Sequence, residues 1–379
     1  MQTEPRGSVI HTVEEEVVEQ ELAVASQWQL MWRSFKKHRL AMASAAVIAL
    51  MYLVVLFADF FAPYGPVQRF SGALYAPPQM VRFVDESGFS FRPFVYAQKQ
   101  ELDLATFQRR YVQDRSVKQP IYFFVRGPEY KLWGLIPSNL HLFGTADGKP
   151  IFLFGTDELG RDMLSRIIFG GRISLSIGLV GVFLSLVLGL FFGGISGYFG
   201  GTIDMIVQRT IEVIRSFPQI PLWMALSAAL PQTWSPIQVY FAITVILSII
   251  GWTGLARVAR GKIMSLKNED FVVAARLSGL KNGRIISRHL VPSFASHIIA
   301  DVTLAIPQMI LAETSLSFLG IGLRPPVISW GVLLQKAQNV HTIAAAPWLM
   351  IPGLFVILFV LAFNFLGDGL RDAADPYAQ

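Results

Sequence analysis

An apolar run of twenty or more residues has few places to fold, and this chain carries several. The first, LAMASAAVIALMYLVVLFADFFA from Leu40 to Ala62, is long enough to cross about 30 Å of hydrocarbon at roughly 1.5 Å per helical residue. It is too long and starts too late for a cleavable signal peptide, and no small-residue cleavage pattern follows it. Further runs begin at Ile173, Pro218, Pro236, Pro292 and Pro347, the last ending at Gly367. The run from Pro218 to Pro231 is short and bounded by prolines, so it must be tilted or extended to span. Of the 379 residues, 53% are hydrophobic and only 15% charged, against about 25% charged in soluble domains. The reading is an all-α membrane protein of six transmembrane helices with a folded extracytoplasmic insertion between the first two. With no cysteine, disulfides, iron–sulfur clusters and thiol catalysis are excluded.

The distribution of Lys and Arg says more than the net charge of +6, because short basic flanks set orientation. RSFKKHR, Arg33 to Arg39, holds the N-terminus in the cytoplasm. Alternation then gives a cytoplasmic segment 1–39, a first helix 40–62, an external insertion 63–172, a membrane core 173–367 with a cytoplasmic loop 257–291, and a cytoplasmic tail 368–379. Within this scheme GGTIDMIVQRTIEVIRSFP, after the second run, falls on the cytoplasmic side. The acidic stretch VEEEVVEQELAV near the start reads as an amphipathic cytosolic extension. The insertion is rich in Lys and Arg, but long domains translocate largely regardless of charge. MVRFVDESGFSFRPFVY reads as two strands turning at Asp85 to Gly88, and IYFFVRGPEYKLWGLI as a third apolar, aromatic run. The insertion is therefore either a small α/β or mainly β subdomain, or a cap on the membrane surface with its aromatics at the interface.

EDFVVAARLSGLKNGRIISRHLVP, Glu269 to Pro292, is crowded with charge between two apolar runs. Asn268 suits an N-cap and the acidic first turn suits the helix dipole. Ala274, Ala275 and Leu277 favour a helix, and Gly279 permits a left-handed C-terminal turn. NGRIISRHLV then restarts as a basic helix that ends at Pro292. A DNA-binding helix-turn-helix has similar features, but tethering to membrane spans at both ends argues against nucleic acid. An ordinary charged loop would need less length and less order, so a docking element is preferred.

That segment resembles the cytoplasmic loop of permease subunits in binding-protein-dependent ABC importers, whose pattern is Glu-Ala-Ala, three residues, Gly, then Pro thirteen residues after the Gly. Ala274, Ala275, Gly279 and Pro292 match it, while Val273 stands at the Glu position. WQLMWRSFKKHRLAM, FGTDELGRDMLSRIIFGGRISL, LAETSLSFLGIGL and LGDGLRDAADP are similar to the second permease subunit of oligopeptide, dipeptide and nickel importers. The insertion is similar to the branch that imports microcin C and related peptides. The resemblance implies a multi-pass protein of the bacterial inner membrane with both termini cytoplasmic. It implies as partners a second permease subunit in a heterodimer, ABC ATPase subunits that carry ATP and Mg, an external substrate-binding protein and the lipid bilayer. It also implies that Val273, Ala274, Ala275, Arg276, Leu277, Gly279, Leu280 and Lys281 form the element that couples to the ATPase. The chain itself has no G-x-x-x-x-G-K-[ST] loop, so it is read as a non-catalytic subunit with no cofactor of its own.

Other polar residues carry weaker expectations. In GTDELGRDMLSR, Gly155 to Arg166, the carboxylates Asp157, Glu158 and Asp162 read as caps and ion pairs rather than a metal site, with Thr156 or Asp157 capping a helix. The six histidines show no ligand spacing. Asp301, at membrane depth, faces a bundle interior or cavity. With Thr303, Gln308 and Glu313 it forms a candidate substrate path, although a hydrogen bond to a neighbouring helix explains Asp301 equally, and a solvated helix end explains Glu313. Gly193, Gly194, Gly197 and Gly200 favour close helix packing. A secondary transporter or channel working alone would favour internal repeats or several intramembrane charges, and neither is present. A membrane-anchored receptor would leave the charged cytoplasmic segment unexplained.

Overall fold

Leucine, isoleucine, valine and alanine make the apolar runs good helix formers, and the chain folds accordingly. The computed structural model describes residues 27–85, 88–102 and 109–374; the acidic stretch from Val13 to Val24 lies outside them. Helix α1 (Gln27–Lys37) is amphipathic and leads through His38, whose side chain accepts from Ala41 N–H, into α2 (Arg39–Leu56). A short α3 (Ala58–Phe61) continues it. The membrane core then follows as α4 (Met163–Phe199), α5 (Gly201–Ser216), α6 (Gln219–Ala228) and α7 (Pro236–Leu266). The charged segment expected on the cytoplasmic side folds as α8 (Asp270–Leu277) and α9 (Asn282–Ile285), followed by α10 (Ala295–Phe318). Two short helices, α11 (Trp330–Gln335) and α12 (Val340–Ala345), precede the last, α13 (Ile351–Ala374).

Among the described residues, five helical stretches are long and apolar enough to cross a membrane: 39–56, 163–199, 236–266, 295–318 and 347–374. The expected span at Pro218 is a helix of only 10 residues. The preceding GGTIDMIVQRTIEVIRSFP, which alternation places on the inside, carries the 16-residue helix α5. Phe217 leaves helical geometry before Pro218, because the residue before proline is pushed towards extended backbone. The core helices also run past the expected limits. The helix of the second run starts at Met163 rather than Ile173, the fourth carries Arg257 and Arg260 inside α7, and the last reaches Ala374.

Helices α4 and α7 approach closely because their shared face is glycine. A Cβ added at Gly189 would lie 2.7 Å from Leu255 Cβ, and one at Gly197 2.8 Å from the Arg260 carbonyl. Gly193 is equally tight against Ala256, whereas Gly200 has open space and instead ends α4 with a φ of +68°. The main core gathers Leu175, Ile177, Val182, Ile243, Leu247, Ile310, Leu316, Trp330 and Phe359 from these helices.

Between α3 and α4 the insertion forms an antiparallel meander in the order β1 (Arg82–Asp85), β2 (Gly88–Leu102), β3 (Arg109–Leu132), β4 (Ile136–Thr145). Asp85 pairs with Gly88 across the expected turn. Its described secondary structure is strand, as aromatic and β-branched residues favour. Val95, Ile121 and Ile151 form one small core, and Ala73, Ala76 and Phe152 a second.

Gly155 to Arg166 forms a closed elbow beneath the insertion. Asp157 Oδ2 accepts from Arg161 Nε at 2.7 Å and lies 3.3 Å from Arg166 Nη1. Asp162, not Thr156 or Asp157, caps α4 by accepting from Ser165 N–H at 2.7 Å. Thr156 accepts from Ala76 N–H and donates to Ala73 O. Burial pushes the Asp162 carboxyl up to about 6. Among the described residues no group of three His, Cys, Asp or Glu side chains has metal-binding geometry.

Candidate coupling site

The charged segment from Glu269 to Pro292 is held by a few apolar anchors. Val272 and Ala275, one turn apart on α8, are buried against Ala259 and Ile263 of α7 and against Ile285, Leu290 and Phe294. The remaining face of α8 looks outward. Leu277 is 83% exposed, and Phe271, Val273, Ala274 and Arg276 are exposed beside it. Of the two alanines in the pattern, Ala275 therefore anchors and Ala274 presents.

The turn explains the glycine. Gly279 N–H bonds Arg276 O at 3.0 Å and Leu280 N–H bonds Ala275 O at 3.3 Å, the paired bonds of a Schellman ending, with Leu280 packed back onto the buried cluster. Gly279 has φ +77° and a Cβ there would meet nothing within 4 Å. Backbone conformation demands glycine, and the space outside it is open. The N-cap falls on Glu269 rather than Asn268, with no side-chain bond. Two residues after Gly279, Lys281 is extended and starts α9.

The second half does not stop at Pro292. Ile286–Leu290 is a π-helical turn, and Val291–Ser293 continues it before Phe294 breaks the geometry ahead of α10. Val291 N–H reaches back to Ile286 O. This wider winding accommodates a proline that has no N–H to give. Tyr198, at the end of α4, donates to Asn282 Oδ1 at 3.1 Å, and Arg276 lies 5.8 Å above its ring. The segment is thus fixed to α4, α7 and α10 at once. Lys281, Arg284 and Arg288 are exposed, and none forms an ion pair among the described residues.

The candidate path residues do not gather in one place. Asp301 and Gln308 lie seven residues apart on one face of α10; Asp301 is half-buried and Gln308 exposed. Thr303 is buried and donates to Ile299 O of its own helix. Glu313 is not a solvated helix end: it is fully buried. Ser174 donates to its Oε2 at 3.1 Å and Ser317 to its Oε1 at 2.8 Å. Those serines in turn accept from Trp330 and Leu323 N–H. Glu313 therefore ties α10 to α4 and to the turn before α11.

A further tie escaped the sequence reading. Arg260 of α7 donates to both oxygens of Asp204 on α5, each at 2.5 Å, with Ser196 joining them. The partners lie 56 residues apart, and no local pattern announces such a contact.

Residues 162–378 match the family described as binding-protein-dependent transport system inner membrane component, more than half of the chain. The chain belongs to that family. Residues 26–78 also match the N-terminal TM domain of oligopeptide transport permease C. The chain is 42% identical over 224 residues to the oligopeptide transport system permease protein OppC of Haemophilus influenzae, covering 59% of this chain and 70% of that one. It is 40% identical to the dipeptide transport system permease protein DppC of Bacillus subtilis, covering 59% and 68%. Similarity to DppC of Lactococcus lactis is 30% over 360 residues, 93% of this chain and 92% of that one. An alignment of that length includes most of residues 63–172. Both halves of the segment, α8 and α9, lie within the range that matches the transport family.

Proposed function

We propose that this chain is the permease subunit of an ATP-driven importer of peptides, working beside a second permease subunit as a heterodimer. Cytoplasmic ATPase subunits carry the ATP and Mg, and an external binding protein delivers the peptide. The chain itself catalyses nothing. The supporting observation is the outward face of α8: Val273 and Leu277, one turn apart, are exposed, the exposed cations Lys281, Arg284 and Arg288 follow in the chain, and the whole sits on a rigid mount. Such a surface fits a groove with an apolar floor and an acidic rim. A push on it is passed to α4, α7 and α10 because their side chains share one buried cluster. The names of the related proteins supply the substrate class, oligopeptides and dipeptides. The relative aligned through the insertion carries a dipeptide name, so ordinary short peptides are proposed ahead of microcin C-type compounds.

The same proposal includes six crossings, with the sixth supplied by α5 and α6 together as one helix broken at Phe217–Pro218. About 28 residues at roughly 1.5 Å each exceed the hydrocarbon thickness. Both termini and the Arg257 to Leu290 segment then face the bacterial cytoplasm, and residues 63–172 face outside. Asp301 and Gln308, on one face of α10, are proposed to line the path, whereas Thr303 and Glu313 brace the bundle. Proteoliposomes holding the assembled complex, supplied with binding protein and a peptide panel, test the reading. ATP-dependent peptide uptake supports it, and uptake by this chain without any ATPase overturns it in favour of a stand-alone transporter.

A further inference from the structure

The β3–β4 hairpin points towards the membrane rather than away from it. Midway along it, His141, paired with Val125, has its Nδ1 2.9 Å from Ala62 O. At its tip, Trp133 Nε1–H donates to Leu56 O at 2.9 Å. Both carbonyls belong to the stretch that ends the first membrane helix. Going from His141 to the tip therefore moves six residues back along that stretch, roughly 9 Å at about 1.5 Å per residue. Leu56 lies only about 24 Å along the helix from Leu40, short of the roughly 30 Å hydrocarbon thickness. Asp59, three residues further out, pairs with Arg172 at 2.5 Å and marks where charge resumes.

The tip is also built from the wrong residues for water. Turns in aqueous hairpins favour Gly, Asn, Asp and Ser. Here Gly134 is flanked by Trp133 at 49% exposure, Leu135 at 80% and Ile136 at 53%. Higher up, Phe124 is 64% exposed with its ring 6.2 Å from Phe60. These side chains continue the apolar outer surface of α2, where Leu53 and Leu56 are exposed. The turn's backbone is closed on itself: Gly134 N–H bonds Lys131 O and Leu135 N–H bonds Leu132 O, as immersion in lipid requires. Lys131 has a stem long enough to carry its charge back to the headgroups.

We propose that the Leu132–Ile136 turn is embedded in the outer leaflet of the bilayer, with Trp133 at the glycerol level and Leu135 among the upper acyl chains. The insertion is then moored at a fixed height over the first membrane helix. The inference rests on the membrane placement of α2 and α3 and not on which solute is carried, so the uptake assay and the test below fail independently.

The chain has no cysteine, so Leu135→Cys can carry a single bimane label in the assembled complex in lipid nanodiscs. Phe91→Cys, at a position 94% exposed on β2, serves as reference, and the unsubstituted chain sets the background. The Leu135 label is expected to lose about half its fluorescence or more when nitroxide lipids replace ordinary ones, and little with iodide, as for a side chain in the acyl region. The Phe91 label should behave in the opposite way. Iodide quenching at Leu135 equal to that at Phe91 would place the tip in water and overturn the proposal. Protection from both quenchers would overturn it in favour of a protein partner. Ile136→Cys repeats the measurement if the Leu135 label disturbs assembly.

Discussion

Two charged segments flank the membrane core, and they use their charges in opposite ways. In the elbow from Gly155 to Arg166 the side chains turn inward: Asp157, Asp162 and Arg166 are each at most 5% exposed, and Asp157 serves both Arg161 and Arg166. In the segment from Glu269 to Pro292 the apolar residues Val272, Ala275 and Ile285 turn inward, and Lys281, Arg284 and Arg288 are left exposed. Both read in sequence as acidic residues, a glycine and basic residues beside a helix. The elbow draws its charges into the chain, pairing Asp157 with Arg161 and Arg166 while Asp162 Oδ1 and Arg166 Nε stay buried without a hydrogen bond. The other segment buries only its apolar residues and leaves Lys281, Arg284 and Arg288 exposed.

The comparison breaks most readily at Asp157. Asp157→Ala leaves Arg166 buried without its carboxylate, a change that costs about 3–5 kcal/mol, whereas Lys281→Ala in the exposed segment should cost no more than about 0.5 kcal/mol. Thermal unfolding of the purified proteins measures both, and equal losses would erase the distinction. Next in size is the pH response of the elbow. Burial holds the Asp162 pKa at about 6, above its ordinary 3.8, so the folded state binds this proton more tightly than the unfolded one. The stability it contributes is fully present below about pH 4 and lost as pH rises through about 6, a change on the order of 2–3 kcal/mol. Asp162→Asn should flatten the melting temperature across that window. A slope unchanged by the substitution would contradict the assignment.

Gly279 sharpens the other side. A residue with a Cβ at this left-handed position costs about 1–2 kcal/mol, less for Asn. Gly279→Asn should therefore retain folding and most transport. Gly279→Asp should insert normally and lose the ATPase, or keep it without transport, because the added charge is desolvated on docking. Uptake near normal in Gly279→Asp would fit an ordinary solvated loop instead.

The sequence and the structure agree where one local rule governs. The apolar runs, the Asp85–Gly88 turn and the left-handed Gly279 each follow from the length or chemistry of a few neighbouring residues. They part where two distant stretches decide the outcome together. Glu313 reads as a helix end, but Ser174, Ser317 and the turn before Trp330 close over it. Gly201–Ser216, placed on the inside by alternation alone, carries Asp204, Arg209, Glu212 and Arg215. Asp204 finds Arg260, and Arg215 finds Thr253 at 3.2 Å. In the Glu269 to Pro292 segment the sequence pattern does not say which residues face outward. That division, Ala275 inward and Leu277 outward, depends on where α7 lies.

The central claim, that the outward face of α8 seats against an ATPase subunit, is tested most directly at Leu277. Leu277→Cys places a single thiol at a position 83% exposed in the isolated chain. Its reaction with an impermeant maleimide is followed in inverted membrane vesicles, with and without the co-expressed ATPase subunits. The account predicts rapid labelling without the ATPase and strong protection with it, while Arg126→Cys on the external insertion stays unlabelled in both. Equal labelling of Leu277→Cys in the two preparations, with the ATPase shown to be bound, would contradict it.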